Sequence, residues 1–263
     1  MTAAEPRICT KSGLRLIPVD QAMGFHIATA RYAQPSAPWR TPDVHRQEWG
    51  RFDTIGRTYY VAETAECAYA EVLSQFKRKA GGDDPLAPIA AVLDLTVDQL
   101  LIQIAEEWGE EDYRGVGAIP ASWWADRRMY QVALEGNGWL VDVAHPASIS
   151  ALESAEGGDV SRFLANQGIP ALNVSVLTSD NRLVTTMLAE IMRDAELDDG
   201  STPRGVHFGS KHGGAWCRAI WLPYQDEMPP GLTIRDAAPI TGNDPALTAV
   251  ADWFHLRMAG AES

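Results

Sequence analysis

The chain is poor in cysteine. Cys9, Cys67 and Cys217 are the only three in 263 residues, far apart and in no CxxC pair. That spacing argues against a disulfide framework or a zinc ribbon and suits a reducing compartment. Long apolar runs are lacking as well. No stretch reaches the ~18 residues of a membrane span, and Met1 to Arg7 leads into no apolar run of signal-peptide length. The expectation is a cytoplasmic protein with no membrane partner. Positive charge is scarce: 22 Lys and Arg stand against 35 Asp and Glu, a formal net charge of −13. Such a chain repels phosphate backbones at long range, which argues against direct nucleic-acid binding. An anionic ligand needs a local basic pocket against that background.

Several chemical motifs are missing. Gly115-Val116-Gly117 continues as Ala118-Ile119-Pro120, so there is no GxGxxG, and no GxxxxGK[ST] phosphate loop occurs. Ser210 follows Phe208-Gly209 and precedes Lys211-His212, which fails the G-x-S-x-G elbow of α/β-hydrolases. His207, His212 and Cys217 recur every five residues, but no fourth ligand is close in sequence, so no metal is expected.

What is present reads as a mixture of strands and helices. Residues 57–62 (RTYYVA) are aromatic and β-branched and suit a strand. Ala65, Ala68, Tyr69, Val72, Leu73 and Phe76 then follow helical spacing, with Thr64 as N-cap and Glu66 in the first turn. Lys77-Arg78-Lys79 and Gly81-Gly82 read as that helix's end. Further helices are expected over 97–108, 128–134 and 183–195, and further strands over 88–95, 168–176 and 219–222. Residues 106–112 read as an exposed acidic stretch and 35–42 as irregular, proline-rich chain. Trp123-Trp124 reads as a buried aromatic pair beside a solvated charged turn. The alternation lacks a regular βαβ rhythm, which favours an α+β fold with a mixed β-sheet core and flanking helices. No linker is evident. The expectation is one domain over 1–263, with a core of about 24–222 and terminal elaborations; 223–263 carries no evident role.

Three stretches carry the functional reading: Trp49-Gly50-Arg51-Phe52-Asp53 with Gly56-Arg57-Thr58-Tyr59-Tyr60; Ala68-Tyr69-Ala70-Glu71-Val72-Leu73; and Gly205-Val206-His207-Phe208-Gly209-Ser210-Lys211. Together they resemble the RES-domain family, named for an arginine, a glutamate and a serine. Its characterised members are NAD-consuming toxins of bacterial toxin–antitoxin pairs with an ADP-ribosyltransferase-like fold. The resemblance places the arginine at Arg51, the glutamate at Glu71, the serine at Ser210 and an aromatic position at Tyr60. It implies NAD as substrate rather than cofactor, and a helix-turn-helix antitoxin as protein partner. The chain departs from the family in a shorter turn at Thr54-Ile55-Gly56 and in Ser210-Lys211, where a Ser-Arg pair is common.

The chemistry of these residues agrees with that reading. Nicotinamide leaves NAD as a neutral group, and positive charge develops on the ribose. A fixed carboxylate, Glu71, lowers that barrier and orients an incoming water or phosphate. Arg51 offers a permanently charged donor fork for the pyrophosphate. Tyr60 offers a flat face to the nicotinamide, and Ser210 a hydroxyl for a ribose oxygen or the carboxamide. Arg31 is a second candidate for phosphate, and Arg57 competes with Arg51. Taken singly, Glu71 reads as a solvated helix residue, Arg51 as a surface arginine, Tyr60 as core packing and Ser210 as a turn residue. Their joint occurrence points to NAD glycohydrolysis or phosphorolysis. The rivals are ADP-ribosyl transfer to a macromolecule and a silent nucleotide-binding module. Association with a second copy stays open.

Overall fold

The computed structural model describes residues 5–19, 22–30, 37–77, 86–108, 117–222 and 231–258. Arg31, the first two residues of the proline-rich segment (35–36), residues 78–82 and residues 109–112 therefore lie outside the described residues. The strands are β1 (Arg7–Ile8), β2 (Arg15–Pro18), β3 (Met23–Thr29), β4 (Trp39–Arg40), β5 (Gly56–Ala62) and β6 (Ala118–Ile119). They continue as β7 (Arg127–Leu134), β8 (Trp139–Asp142), β9 (Gly205–Gly209), β10 (Trp216–Leu222), β11 (Leu232–Pro239) and β12 (Arg257–Met258). The helices are α1 (Ala65–Leu73), α2 (Ala87–Val92), α3 (Val97–Trp108), α4 (Ala121–Ala125) and α5 (Pro146–Ser154). After them come α6 (Asp159–Asn166), α7 (Val174–Leu177), α8 (Arg182–Asp194) and α9 (Pro245–Trp253). Among the described residues no helix is long and apolar enough to cross a membrane.

Among the described residues, ten strands form one mixed sheet in the order β1-β2-β8-β9-β10-β5-β3-β7-β11, with β4 on β5, and the fold is α+β. The pair β8–β9 is parallel, while its neighbours β2–β8 and β9–β10 are antiparallel. A parallel pair needs a long crossover, and α5 to α8 supply it. Their apolar faces cover one side of the sheet: Leu152, Leu164, Val184, Leu188 and Met192 pack with Leu16, Val141, Val206 and Ala219. Strand alternation sends Tyr59, Val61, Tyr130, Val132, Ile220 and Leu222 into a separate cluster. A third cluster joins α1, α4 and α9 through Tyr69, Leu73, Trp123, Trp124, Leu247 and Val250.

Local signals account for many of these elements. Thr64 caps α1, its hydroxyl accepting from the Cys67 N–H at 3.1 Å, and Glu66 lies in the first turn. The helix stops sooner than its apolar spacing predicts, passing into a 3-10 turn at Ser74–Phe76 with Lys77 already extended. Side chains compete for the carbonyls there: Ser74 Oγ donates to Glu71 O and Gln75 Nε2 to Val72 O. Strand β5, helix α3 and helix α8 form where expected, and 219–222 lies within β10. The pair Trp123 and Trp124 is buried, with Asp126 and Arg128 exposed beside it.

Three segments differ from expectation. The apolar stretch at 88–95 enters α2 rather than a strand, because Pro88 takes the first turn of a helix, where a missing N–H costs nothing. Residues 128–134 belong to strand β7, whose Tyr130, Val132 and Leu134 alternate onto one face between β3 and β11. Residues 168–176 form a turn running into α7, capped by Asn173 through the Val176 N–H.

Gly205 opens β9 where the strand crosses closest to β10. A Cβ there would stand 2.1 Å from the Ala219 carbonyl oxygen, and backbone cannot move aside as a flexible side chain does. Gly205→Ala is expected to lower stability by about 1–3 kcal/mol, read from urea denaturation. An unchanged midpoint would show that the β9–β10 contact is looser than this geometry.

Candidate functional site

The sheet is continuous except between β3 and β5, which are joined at the single register pair Phe25↔Ala62. Gly24 makes that approach possible: a Cβ there would meet Val61 Cγ1 at 2.3 Å and the Ala62 carbonyl oxygen at 2.9 Å. Beyond this pair the strands part, and a cavity of about 330 Å3 occupies the gap. Phe25, His26 and Ile27 of β3 form one wall and Tyr60, Val61 and Ala62 of β5 the other. Ala68, Glu71 and Val72 enter from α1, Arg182 from α8, Phe208 and Cys217 from the β9–β10 hairpin, and Gly50 and Arg51 from the preceding loop.

The loop carrying Arg51 is held from beneath by a buried carboxylate. Asp53 Oδ2 accepts from Arg40 Nε at 2.7 Å and from the Gly50 N–H at 2.8 Å, while Oδ1 accepts from the Tyr60 hydroxyl at 2.9 Å. The Tyr60 oxygen in turn accepts from the Phe52 N–H at 3.0 Å, and Trp221 Nε1 donates to the Phe52 carbonyl at 2.9 Å. The Phe52 ring lies tilted against that of Phe208, with centroids 4.8 Å apart and an interplanar angle of 55°. Burial first, and then Asp53, raise the Tyr60 pKa well above its ordinary value, so its hydroxyl stays a donor.

Arg51 itself is 6% exposed, and its Nε finds no hydrogen-bond partner among the described residues. Burial lowers its pKa, Glu71 raises it again, and the like charge of Arg182 lowers it further. A guanidinium remains charged under such shifts. The charged lining residues are thus two arginines and one glutamate, an excess of positive charge inside an acidic chain.

Glu71 sits in the second turn of α1, half-buried. Its Oε1 accepts from the Ser210 hydroxyl at 2.7 Å, across 139 residues of sequence. Ser210 begins the loop of the β9–β10 hairpin, closed by the Gly209↔Trp216 pair and by a bond from the Ser210 N–H to the Ala215 carbonyl at 2.9 Å. The His212 N–H donates to Ser210 Oγ at 3.1 Å, leaving the hydroxyl proton for Glu71. At its base the hairpin is tied to the start of α1, because the Trp216 N–H donates to Glu63 Oε2 at 2.9 Å.

Arg51, Tyr60 and Glu71 therefore share one cavity, with Ser210 bonded to Glu71 at its edge. Two positions differ from the sequence reading. Ser210 gives its proton to Glu71 rather than facing the cavity as a free hydroxyl. Arg57 points elsewhere: its Nη1 donates to the Ala37 carbonyl at 2.8 Å and its guanidinium lies over Trp39, 5.5 Å from the ring centroid. The cause is strand periodicity, because Arg57 shares a face with Tyr59 and Val61 while Tyr60 faces the other way. Arg31 lies outside the described residues. The sequence reading missed Arg182, whose only local signal is its place after the helix cap Asn181; it also missed His26.

A larger cleft of about 570 Å3 lies between the Lys11–Leu14 turn, α5 and α8. It gathers Glu190, Asp194 and Glu196 with one lysine. Glu190 is paired with Arg46 and Glu196 with Lys11, so it offers no converging chemistry, and the smaller cavity is the candidate site.

No protein-family model matches the chain. No curated protein matches it either. Among solved structures, a chain of the crystal structure of the M. tuberculosis MbcT–MbcA toxin–antitoxin complex aligns over 91% of this chain and 92% of its own length, at 12% identity and a TM-score of 0.44. A likeness at that level carries no argument about what the cavity does.

Removing the Tyr60 hydroxyl deprives Asp53 of a donor and the Phe52 N–H of its acceptor. Tyr60→Phe is expected to cost about 1–3 kcal/mol in urea denaturation. Asp53→Ala, which strands Arg40 and releases the Gly50 turn, is expected to cost about 3–5 kcal/mol. Equal and negligible losses in both would mean that the Arg51 loop is held by its apolar contacts alone.

Proposed function

We propose that the chain binds NAD in the cavity between β3 and β5 and cleaves its nicotinamide–ribose bond, with water or phosphate as acceptor. The observation that carries this reading is the convergence of Arg51, Arg182 and Glu71 on one enclosed space in a chain of net charge −13. Two guanidiniums suit a pyrophosphate, and a single carboxylate suits the one centre that becomes cationic during the reaction. The resemblance of the same segments to the RES-domain family points the same way.

The division of labour follows from charge. The C–N bond breaks with its electron pair leaving on the nicotinamide nitrogen, which becomes neutral and needs no proton. The ribose gains oxocarbenium character, and Glu71 faces it with a carboxylate held in place by Ser210. A water that attacks the anomeric carbon loses its proton to solvent or to Glu71, and a phosphate attacks through an oxygen already charged. Arg51 and Arg182 hold the pyrophosphate, whose charge does not change along the reaction. The Tyr60 ring is a wall for the nicotinamide, its hydroxyl being engaged with Asp53. In the cell, this reading makes the chain the toxin of a toxin–antitoxin pair, restrained by a helix-turn-helix antitoxin.

Chromatography of NAD incubated with the purified protein tests the reaction. Free nicotinamide is the expected product, and ADP-ribose against ADP-ribose-1″-phosphate separates hydrolysis from phosphorolysis. ADP-ribose found only on protein would favour the transferase, and intact NAD would favour a silent binding module. In kinetics, Glu71→Gln is expected to lower kcat on the order of 10²–10³-fold with NAD binding retained. Arg51→Ala is expected to raise KM at least as much as it lowers kcat, with lysine restoring only part. Near-normal turnover of Glu71→Gln would refute the mechanism.

Expression alone is expected to deplete cellular NAD and arrest growth, and co-expression of the antitoxin to relieve both. Strong expression of the protein with NAD unchanged would remove the toxin assignment.

A further inference from the structure

Two of the three cysteines, 150 residues apart in sequence, meet directly beneath the site. Cys67 Sγ in α1 and Cys217 Sγ in β10 stand 3.6 Å apart, both buried and both free thiols. We propose that Cys67 and Cys217 form a modification site, at which hydrogen peroxide joins them in a reversible disulfide that locks α1 to β10 and disables the adjoining cavity.

The geometry favours this pair over any other described thiol. A disulfide brings its sulfurs to about 2.05 Å, so closure asks for a relative movement of roughly 1.5 Å. Peroxide, little larger than water, enters by the cavity that Cys217 lines, and the Cys67 sulfur stands 3.6 Å behind that of Cys217. Cys67 lies in the first turn of α1, where the N-terminal end of the helix favours a thiolate. Hydrogen bonding with Cys217 lowers its pKa, while that of Cys217 is raised. Cys67 is therefore the attacking sulfur. Its thiolate takes one oxygen of the peroxide and becomes a sulfenic acid, with hydroxide leaving. The Cys217 sulfur then attacks the sulfenic sulfur, forming the S–S bond. The sulfenic hydroxyl leaves as water with the Cys217 thiol proton, and the hydroxide of the first step becomes the second water with the proton that Cys67 released on ionising. Two thiols are oxidised and one peroxide is reduced to two waters. A small dithiol reverses the step by exchange.

The consequence for the site follows from the same elements. Glu71 lies one helical turn after Cys67, on the same side of α1, and the loop that carries Ser210 leads straight into the strand that carries Cys217. Drawing the sulfurs together shifts the two elements whose relative position sets the 2.7 Å bond from Ser210 to Glu71. Displacements near 1 Å at a reacting group commonly cost about 10²-fold in rate.

The test uses the full chain. Reduced protein is treated with hydrogen peroxide, alkylated under denaturing conditions and mapped by mass spectrometry, with hydrogen exchange followed at the α1 amides. NAD cleavage is measured before treatment, after it, and after dithiothreitol; this arm rests on the NAD reading above. The expected result is a Cys67–Cys217 linked peptide with Cys9 still alkylated, slower exchange in α1, and a loss of activity of about tenfold or more that dithiothreitol restores. Cys67→Ala and Cys217→Ser should lose the response, and Cys9→Ala should keep it. Both thiols alkylated after peroxide, or a linked peptide with exchange and activity unchanged, would overturn the proposal. Absence of NAD cleavage in the reduced protein would sink the NAD reading alone, because the peptide map and the exchange of α1 still decide the switch.

Discussion

The Asp53 carboxylate accepts from a β4 side chain, a loop amide and a β5 hydroxyl at once, and each of those donors is placed by a different part of the chain. Burying a charge costs several kcal/mol unless it is paired and fully hydrogen-bonded, and here the pairing is what gives the loop its shape. Gly50 donates its amide to the carboxylate, Phe52 sets its ring beside Phe208 and its carbonyl on Trp221, and Arg51 between them lines the cavity. An apolar residue at position 53 could fill the volume, yet it would leave the Arg40 guanidinium and the Gly50 amide without an acceptor. The orientation of the Arg51 guanidinium is thus inherited from a group that never faces the site.

The electrostatics of the cavity are local in the same sense. Like charges on Arg51 and Arg182 are tolerated because Glu71 lies among them, and because Asp180, whose charge also acts on Arg51, is engaged by both Lys211 and Arg182. The hydrogen bond from Lys211, more than any other contact, holds the Asp180 carboxyl below the usual range, so that acid stays charged and stays with its surface partners. The overall negative charge of the chain says little about this enclosure. A ligand inside it meets two guanidiniums at short range, whereas exposed charges farther off than about 8 Å are largely screened in physiological salt.

Elements written in short-range code were legible in the sequence. Thr64 followed by apolar positions at helical spacing identified α1, and the aromatic, β-branched run 57–62 identified β5. Where an apolar run lacks periodicity the reading failed, as at 88–95, and where alternation was taken for a helical pattern, as at 128–134, only pairing with β3 and β11 decides the outcome. The site was legible where residues lie close together, in the span from Arg51 to Glu71. Its remaining parts depend on tertiary arrangement. Nothing near Arg182 announces that the first turn of α8 opens on the cavity. Arg57 is the exception, because three residues separate it from Tyr60 and strand alternation alone puts the two on opposite faces of β5. The bond between Ser210 and Glu71 could not be read from either segment alone.

Strand β10 lies in the interior of the sheet, between β9 and β5, yet it is among the last strands in the chain. During synthesis the Arg51 loop, β5 and α1 emerge well before the strand that must sit against them. Until residue 222 clears the ribosome, β5 has an open edge, Phe52 lacks its Trp221 partner and Glu71 lacks its serine. The earlier portion cannot hold a finished cavity. Long-range pairing of this kind is slow to form, so the newly made chain passes through an interval in which β5 and α1 exist and the strand that joins them to the serine loop does not. That interval is a property of strand order alone, and it gives any co-translational partner time to arrive before the site exists.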